Sequence, residues 1–178
     1  MRPTLPLTVA FIAVLAAPLA LPGCTTMIEP QIGPPAQLIN ALGAPIGTVR
    51  TWQTPAGLAF RIEAGGLPQG VHGIHVHAVG RCDPPEFQSA GSHWNPTAKK
   101  HGTRNPLGPH AGDLPNVTVM PNGVLAETVT LPGANMANVF DADGAALVLH
   151  AQPDDYMTDP SGNSGARIAC AVLLPGPR

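Results

Sequence analysis

Apolar and polar residues alternate in short runs along most of this chain, and turn-forming residues separate the runs. They cover 36–42, 46–53, 57–64, 71–78, 116–120, 123–131, 145–150 and 166–173. A period of two puts residues i and i+2 on one face, the mark of a half-buried strand, and no convincing helical period competes with it. Thr48 to Trp52 and Leu58 to Glu63 flank Thr54-Pro55-Ala56-Gly57 and read as a hairpin. Pro121-Asn122-Gly123 reads as a second tight turn. Eight short strands of this kind predict an all-β fold, an antiparallel sandwich or barrel. Two long stretches break the pattern, 79–115 and 151–165. Loops of that length in a compact domain are functional or disordered, and the first needs internal cross-links to be ordered.

Composition agrees with a turn-rich β domain. The 178 residues include 20 Gly and 22 Pro, which favours turns over long helices. Net charge is −2 and aromatic residues make up 4%, so nothing in the composition points to nucleic acid or to an anionic membrane surface. No nucleic-acid partner is predicted.

The N-terminus reads as a targeting segment rather than as part of the fold. Arg2 gives a positive start, Leu5 to Leu21 is uncharged and largely apolar, and Leu21-Pro22-Gly23-Cys24 follows. That ending resembles a bacterial lipobox. Residues 1–23 are then a lipoprotein-type signal peptide, and Cys24 is the first mature residue and carries the lipid. Residues 24–35 form a Pro-rich tether, and the domain occupies 36–178. The protein is expected to be exported to the cell envelope or periplasm and held to a membrane by its N-terminal lipid. Lipidation of Cys24 leaves Cys82 and Cys170 as a pair in an oxidising compartment; two buried free thiols are the alternative.

The histidines carry the chemistry. In Gly70-Val71-His72-Gly73-Ile74-His75-Val76-His77, strand parity points His75 and His77 one way and His72 the other. Two imidazoles side by side on a strand can chelate a late transition metal. His72 fits a structural role, hydrogen-bonding backbone in the interior. His93, His101, His110 and Asp113 supply three imidazoles and a carboxylate, a full tetrahedral set for zinc. His75, His77 and His150 with one further imidazole would make an all-nitrogen copper site, and His93 could serve both ions. A structural zinc loop competes with this reading for the second cluster.

GVHGIHVH, AGSHWNP, KKHG, PHAGDLPNV, LVLH and GNSGARIACAV resemble, in order, the signature segments of copper/zinc superoxide dismutase over residues 36–174. The resemblance implies an eight-stranded Greek-key β-barrel with two long functional loops, an architecture of the β-sandwich type. It implies one copper ion on His75, His77, His93 and His150, and one zinc ion on His93, His101, His110 and Asp113. It implies a Cys82–Cys170 disulfide, an Asp154 that links His75 to His101, and catalytic roles for Arg167, which docks the anion, and for His93. The implied activity is dismutation of superoxide to dioxygen and hydrogen peroxide, protecting the envelope. A homodimer is one of the two assemblies known in bacterial relatives. The 151–165 stretch holds Asp154, Asp155 and Asp159 but no Lys or Arg, so Lys99 and Lys100 are the candidates to supply attraction at the rim. A copper-binding or copper-delivery protein with little turnover is the rival, and loss of a copper ligand or of Arg167 would favour it.

Overall fold

A computed structural model describes residues 32–174. Among the described residues nine strands form: β1 (Ala36–Asn40), β2 (Pro45–Thr54), β3 (Gly57–Ala64), β4 (Gly70–His72), β5 (Ile74–His77), β6 (Val117–Val119), β7 (Leu125–Pro132), β8 (Ala146–His150) and β9 (Arg167–Val172). A short α-helical turn, α1 (Met136–Val139), is capped by Asn135 and Asn138, whose side chains each accept from the other's backbone N–H. The eight alternating runs all become strands. The run 71–78 becomes two, because Gly73 leaves the ladder: its N–H donates to Gln152 O and its carbonyl accepts from His150 N.

The strands make an antiparallel sheet in the order β5-β8-β9-β1-β2-β3-β7, with β4 and β6 as a separate pair. β4 runs into β5 through Gly73, and β6 leads by a short turn to β7, so the small pair lies between the two edges of the large sheet. The curled sheet is thus the all-β, Greek-key barrel that the pattern and the resemblance predict. In the hairpin of β2 and β3, Thr54 Oγ1 accepts from the N–H groups of Ala56 and Gly57. Gly57 has φ +148°, and a Cβ there would run into Leu131 O, so no larger residue fits the turn.

Strand parity builds the core. Leu58, Phe60 and Ile62 of β3 point inward, while Glu63 is exposed and Arg61 half-buried. They meet Leu38, Ile74 and Leu147 from other strands. β5 and β8 differ from β3 in being buried on both faces. Ile74, Val76, Leu147 and Leu149 take the core face. The other face carries His75, His77 and His150, and the 79–115 and 151–165 loops roof it.

Candidate metal centre

The 79–115 loop is ordered because it pairs with the free edge of β5. Trp94 N donates to Val76 O (2.8 Å), Val76 N to Gly112 O (2.9 Å) and Ala78 N to Ser92 O (2.9 Å). Isolated bridges set His77 opposite His93 and His75 opposite Asp113. A Cβ at position 112 would strike Val76 O, so glycine is required for this close approach. The edge that would otherwise expose unpaired backbone is covered, and two metal-type side chains are carried to β5 in the process. The loop's other end is fixed to β9 by the Cys82–Cys170 disulfide, with Cα atoms 5.7 Å apart.

Six of the seven histidines converge. Ligand-type atoms of His75, His77, His93 and His150 lie within 4.8 Å of one another, and all four residues are buried. Their outer nitrogens are spoken for. His77 Nδ1 faces Gly91 O (2.9 Å), His150 Nδ1 faces Gly165 O (3.2 Å) and His75 Nε2 faces Asp154 Oδ2 (2.8 Å). Each ring therefore donates its N–H outward and turns a lone pair inward. The inward atoms, His75 Nδ1, His77 Nε2 and His150 Nε2, have no hydrogen-bond partner. Burial costs such groups unless something binds them. Burial also pushes the three rings down from 6.5, to about 4 for His75, 2 for His77 and 3 for His150, so they stay neutral near pH 7. Three neutral, aligned, unpartnered nitrogens facing a fourth imidazole fit a copper ion.

A second cluster adjoins the first through His93. Around Asp113 Oδ1 stand His93 Nδ1 at 2.9 Å, His101 Nδ1 at 3.1 Å and His110 Nδ1 at 3.4 Å, and His110 Nδ1 lies 3.3 Å from His93 Nδ1. Four ligands about 2.0–2.1 Å from a tetrahedral centre stand about 3.3 Å apart, so these spacings fit zinc. His75 also approaches His93, His101 and Asp113, but its free Nδ1 belongs to the copper-side set. Burial would raise Asp113, but the neighbouring His101, with hydrogen bonds from His93 and Gly102 N, holds it well below the usual carboxylate range. Burial would lower His101, but the carboxylates of Asp113 and Asp154 on either side of the ring raise it to about 9.

Asp154 joins the clusters. Its carboxylate, 3% exposed, accepts from His75 Nε2 (2.8 Å), His101 Nε2 (3.0 Å) and Tyr156 N (2.7 Å). Arg167 faces His150 across β8 and β9. It donates to Phe87 O (2.6 Å) and Gly91 O (2.8 Å), the latter shared with His77, so a half-buried guanidinium is fixed beside the copper-side set. His72 stands apart, with Nδ1 2.8 Å from His150 O and Nε2 2.9 Å from Pro68 O. Cys24 lies outside the described residues.

Two contributors lie within the segments PHAGDLPNV and GNSGARIACAV, but their roles are not readable from the sequence. Asn116 exchanges two hydrogen bonds with the backbone of Asp154 (2.9 Å each). Gly162 packs so close to Asp154 that a Cβ would overlap its carboxylate. Lys100, a candidate source of attraction, is paired with Asp159 (3.0 Å).

A curled antiparallel barrel with two histidine clusters sharing one ring defines a candidate two-metal protein. The family model for copper/zinc superoxide dismutase (SODC) matches residues 46–173. Superoxide dismutase (Cu-Zn) 1 of Aquifex aeolicus is 45% identical over 144 residues, spanning 78% of this chain and 85% of that protein. A double mutant of a SOD-like protein from Bacillus subtilis superposes with a TM-score of 0.78 at 42% identity, covering 81% of this chain and 99% of that one. Cu/Zn superoxide dismutase from Brucella abortus gives a TM-score of 0.68 at 32% identity, covering 79% and 99%. The chain belongs to the copper/zinc superoxide dismutase family.

Proposed function

We propose that this protein dismutates superoxide, converting two superoxide anions and two protons to dioxygen and hydrogen peroxide, with copper on His75, His77, His93 and His150 and zinc on His93, His101, His110 and Asp113. The observation that carries the reading is the inward set of unpartnered nitrogens, His75 Nδ1, His77 Nε2 and His150 Nε2, facing a ring whose other nitrogen belongs to the second cluster. When bound, copper supplies the one-electron couple and zinc a fixed positive charge.

The protein's own groups do the rest. The Arg167 guanidinium draws in the anion and orients it where partial burial strengthens the attraction. Gly91 O holds Arg167 and His77 in fixed relation, so the anion site does not drift from the histidines. His93 Nε2 holds and delivers one of the two protons consumed. Its Nδ1, kept among His110 and Asp113, prevents the ring from swinging away during that transfer. Asp154 keeps His75 and His101 in the tautomers that turn Nδ1 inward.

The same reading places the protein in the cell envelope, exported and lipid-anchored at Cys24, where it guards against superoxide. The Cys82–Cys170 disulfide supports an oxidising compartment. Metal content and superoxide turnover of the purified wild type are to be compared with His150→Ala. The expected result is loss of copper and of turnover with zinc retained; equal rates refute the assignment. Cys24→Ser should release the protein from membranes, and continued association would defeat the anchor.

A further inference from the structure

Asp159 lies outside both clusters, yet the zinc-side segment converges on it. Its Oδ1 accepts from His101 N (2.8 Å), its Oδ2 pairs with Lys100 Nζ (3.0 Å), and its Oδ1 stands 3.8 Å from His110 Nε2. Two further bonds join the same pair of segments: Arg104 N donates to Tyr156 O (2.8 Å) and Asn105 Nδ2 to Met157 O (3.1 Å). The Arg104 guanidinium also lies over the Tyr156 ring, 5.4 Å from its centre. Gly102 meets Tyr156 O so closely that no side chain fits between them.

Packing does not secure this side of the centre. A mostly apolar cavity of about 530 Å³ borders His110 and Asp113. Asp154 braces the Nε2 of His101 from within, but among the described residues no carboxylate hydrogen-bonds the Nε2 of His110. Asp159 is placed to act on both ligands, through the backbone of His101 and through its charge near His110.

We propose that Asp159 is a positioning residue for the zinc-side cluster: it latches the 99–105 segment to the 154–159 segment and so sets how firmly His101 and His110 present their Nδ1 atoms. This rests on the metal-centre reading above. The latch is an exposed ion pair with one backbone hydrogen bond, so it contributes little to the stability of the metal-free fold. Its effect falls on the metal, because groups that orient ligands change affinity by about 10–100-fold.

The test uses the full chain, with zinc and, as a spectroscopic probe, cobalt(II). Zinc affinity is measured by competition with a chromophoric chelator for wild type, Asp159→Ala and Asp159→Asn, alongside the melting temperature of each metal-free form. Asp159→Ala should weaken zinc by about 10–100-fold and alter the cobalt absorption bands. Asp159→Asn should weaken it less, because its amide oxygen still accepts from His101 N–H. Metal-free melting should hardly move. Asp159→Ala holding zinc within twofold of wild type overturns the latch, as does an affinity loss matched by a fall in metal-free melting. A wild type that leaves both metals in solution overturns the latch together with the metal-centre reading.

Discussion

Replacing Asp154 with Asn tests how far metal binding depends on a residue outside both ligand sets. The carboxylate offers oxygen on both sides, to His75 Nε2 at 2.8 Å and to His101 Nε2 at 3.0 and 3.1 Å, and also accepts from Tyr156 N. An amide of the same shape has one oxygen, and its NH₂ must then face a ring N–H. That ring has to switch tautomer, which places a proton on the Nδ1 meant for the metal. Both rings are buried, so water cannot replace the lost partner. A hydrogen bond to a charged group contributes about 1.5–3 kcal/mol, and most of one is lost. In affinity that is about 10–100-fold for the ion whose ligand switches. If His101 switches, zinc suffers; if His75 does, copper suffers. Chelator competition for each metal separately, in Asp154→Asn and wild type, reads this directly. Affinities within twofold of wild type for both metals would refute the tautomer argument.

Acid should destabilise the metal-free protein. His75, His77 and His150 have folded values of about 4, 2 and 3 against 6.5 for a free ring, so the unfolded chain binds protons first. Their contribution is present above pH 6.5 and drains as pH falls toward 3, whereas that of His101, raised to about 9, is present below 6.5 and is lost as pH rises past 9. Three groups outweigh one on the acid side, so the denaturant midpoint should be lower at pH 4.5 than at pH 7, and an unchanged midpoint would contradict the burial argument. Reducing the Cys82–Cys170 bond reopens a loop of 88 residues, worth about 4–5 kcal/mol by chain entropy. Urea unfolding of the metal-free protein with and without reductant measures it, and a loss below about 1 kcal/mol would point to residual structure in the reduced unfolded chain.

The strand pattern was legible in the sequence because burial on one face leaves a period of two. All eight alternating runs are strands. The break at Gly73 was not legible, since it answers to Gln152 and His150, far along the chain. Ligand types and parity were also readable: His75 and His77 share a face, and His72 faces elsewhere. Lys100 illustrates the limit, because its charge is visible in the sequence but its pairing with Asp159 is not.

Residue type and local period are short-range properties, and they determined the β architecture, the hairpin turn and the inventory of candidate metal ligands. What only the tertiary structure decided is which nitrogen of each ring faces inward. That choice is made by Gly91 O, Gly165 O and Asp154, acceptors brought to the rings by strand register and by a loop pairing with the edge of β5. An imidazole has two nearly equivalent nitrogens, so its chemistry as a ligand is fixed by the partner of the other one.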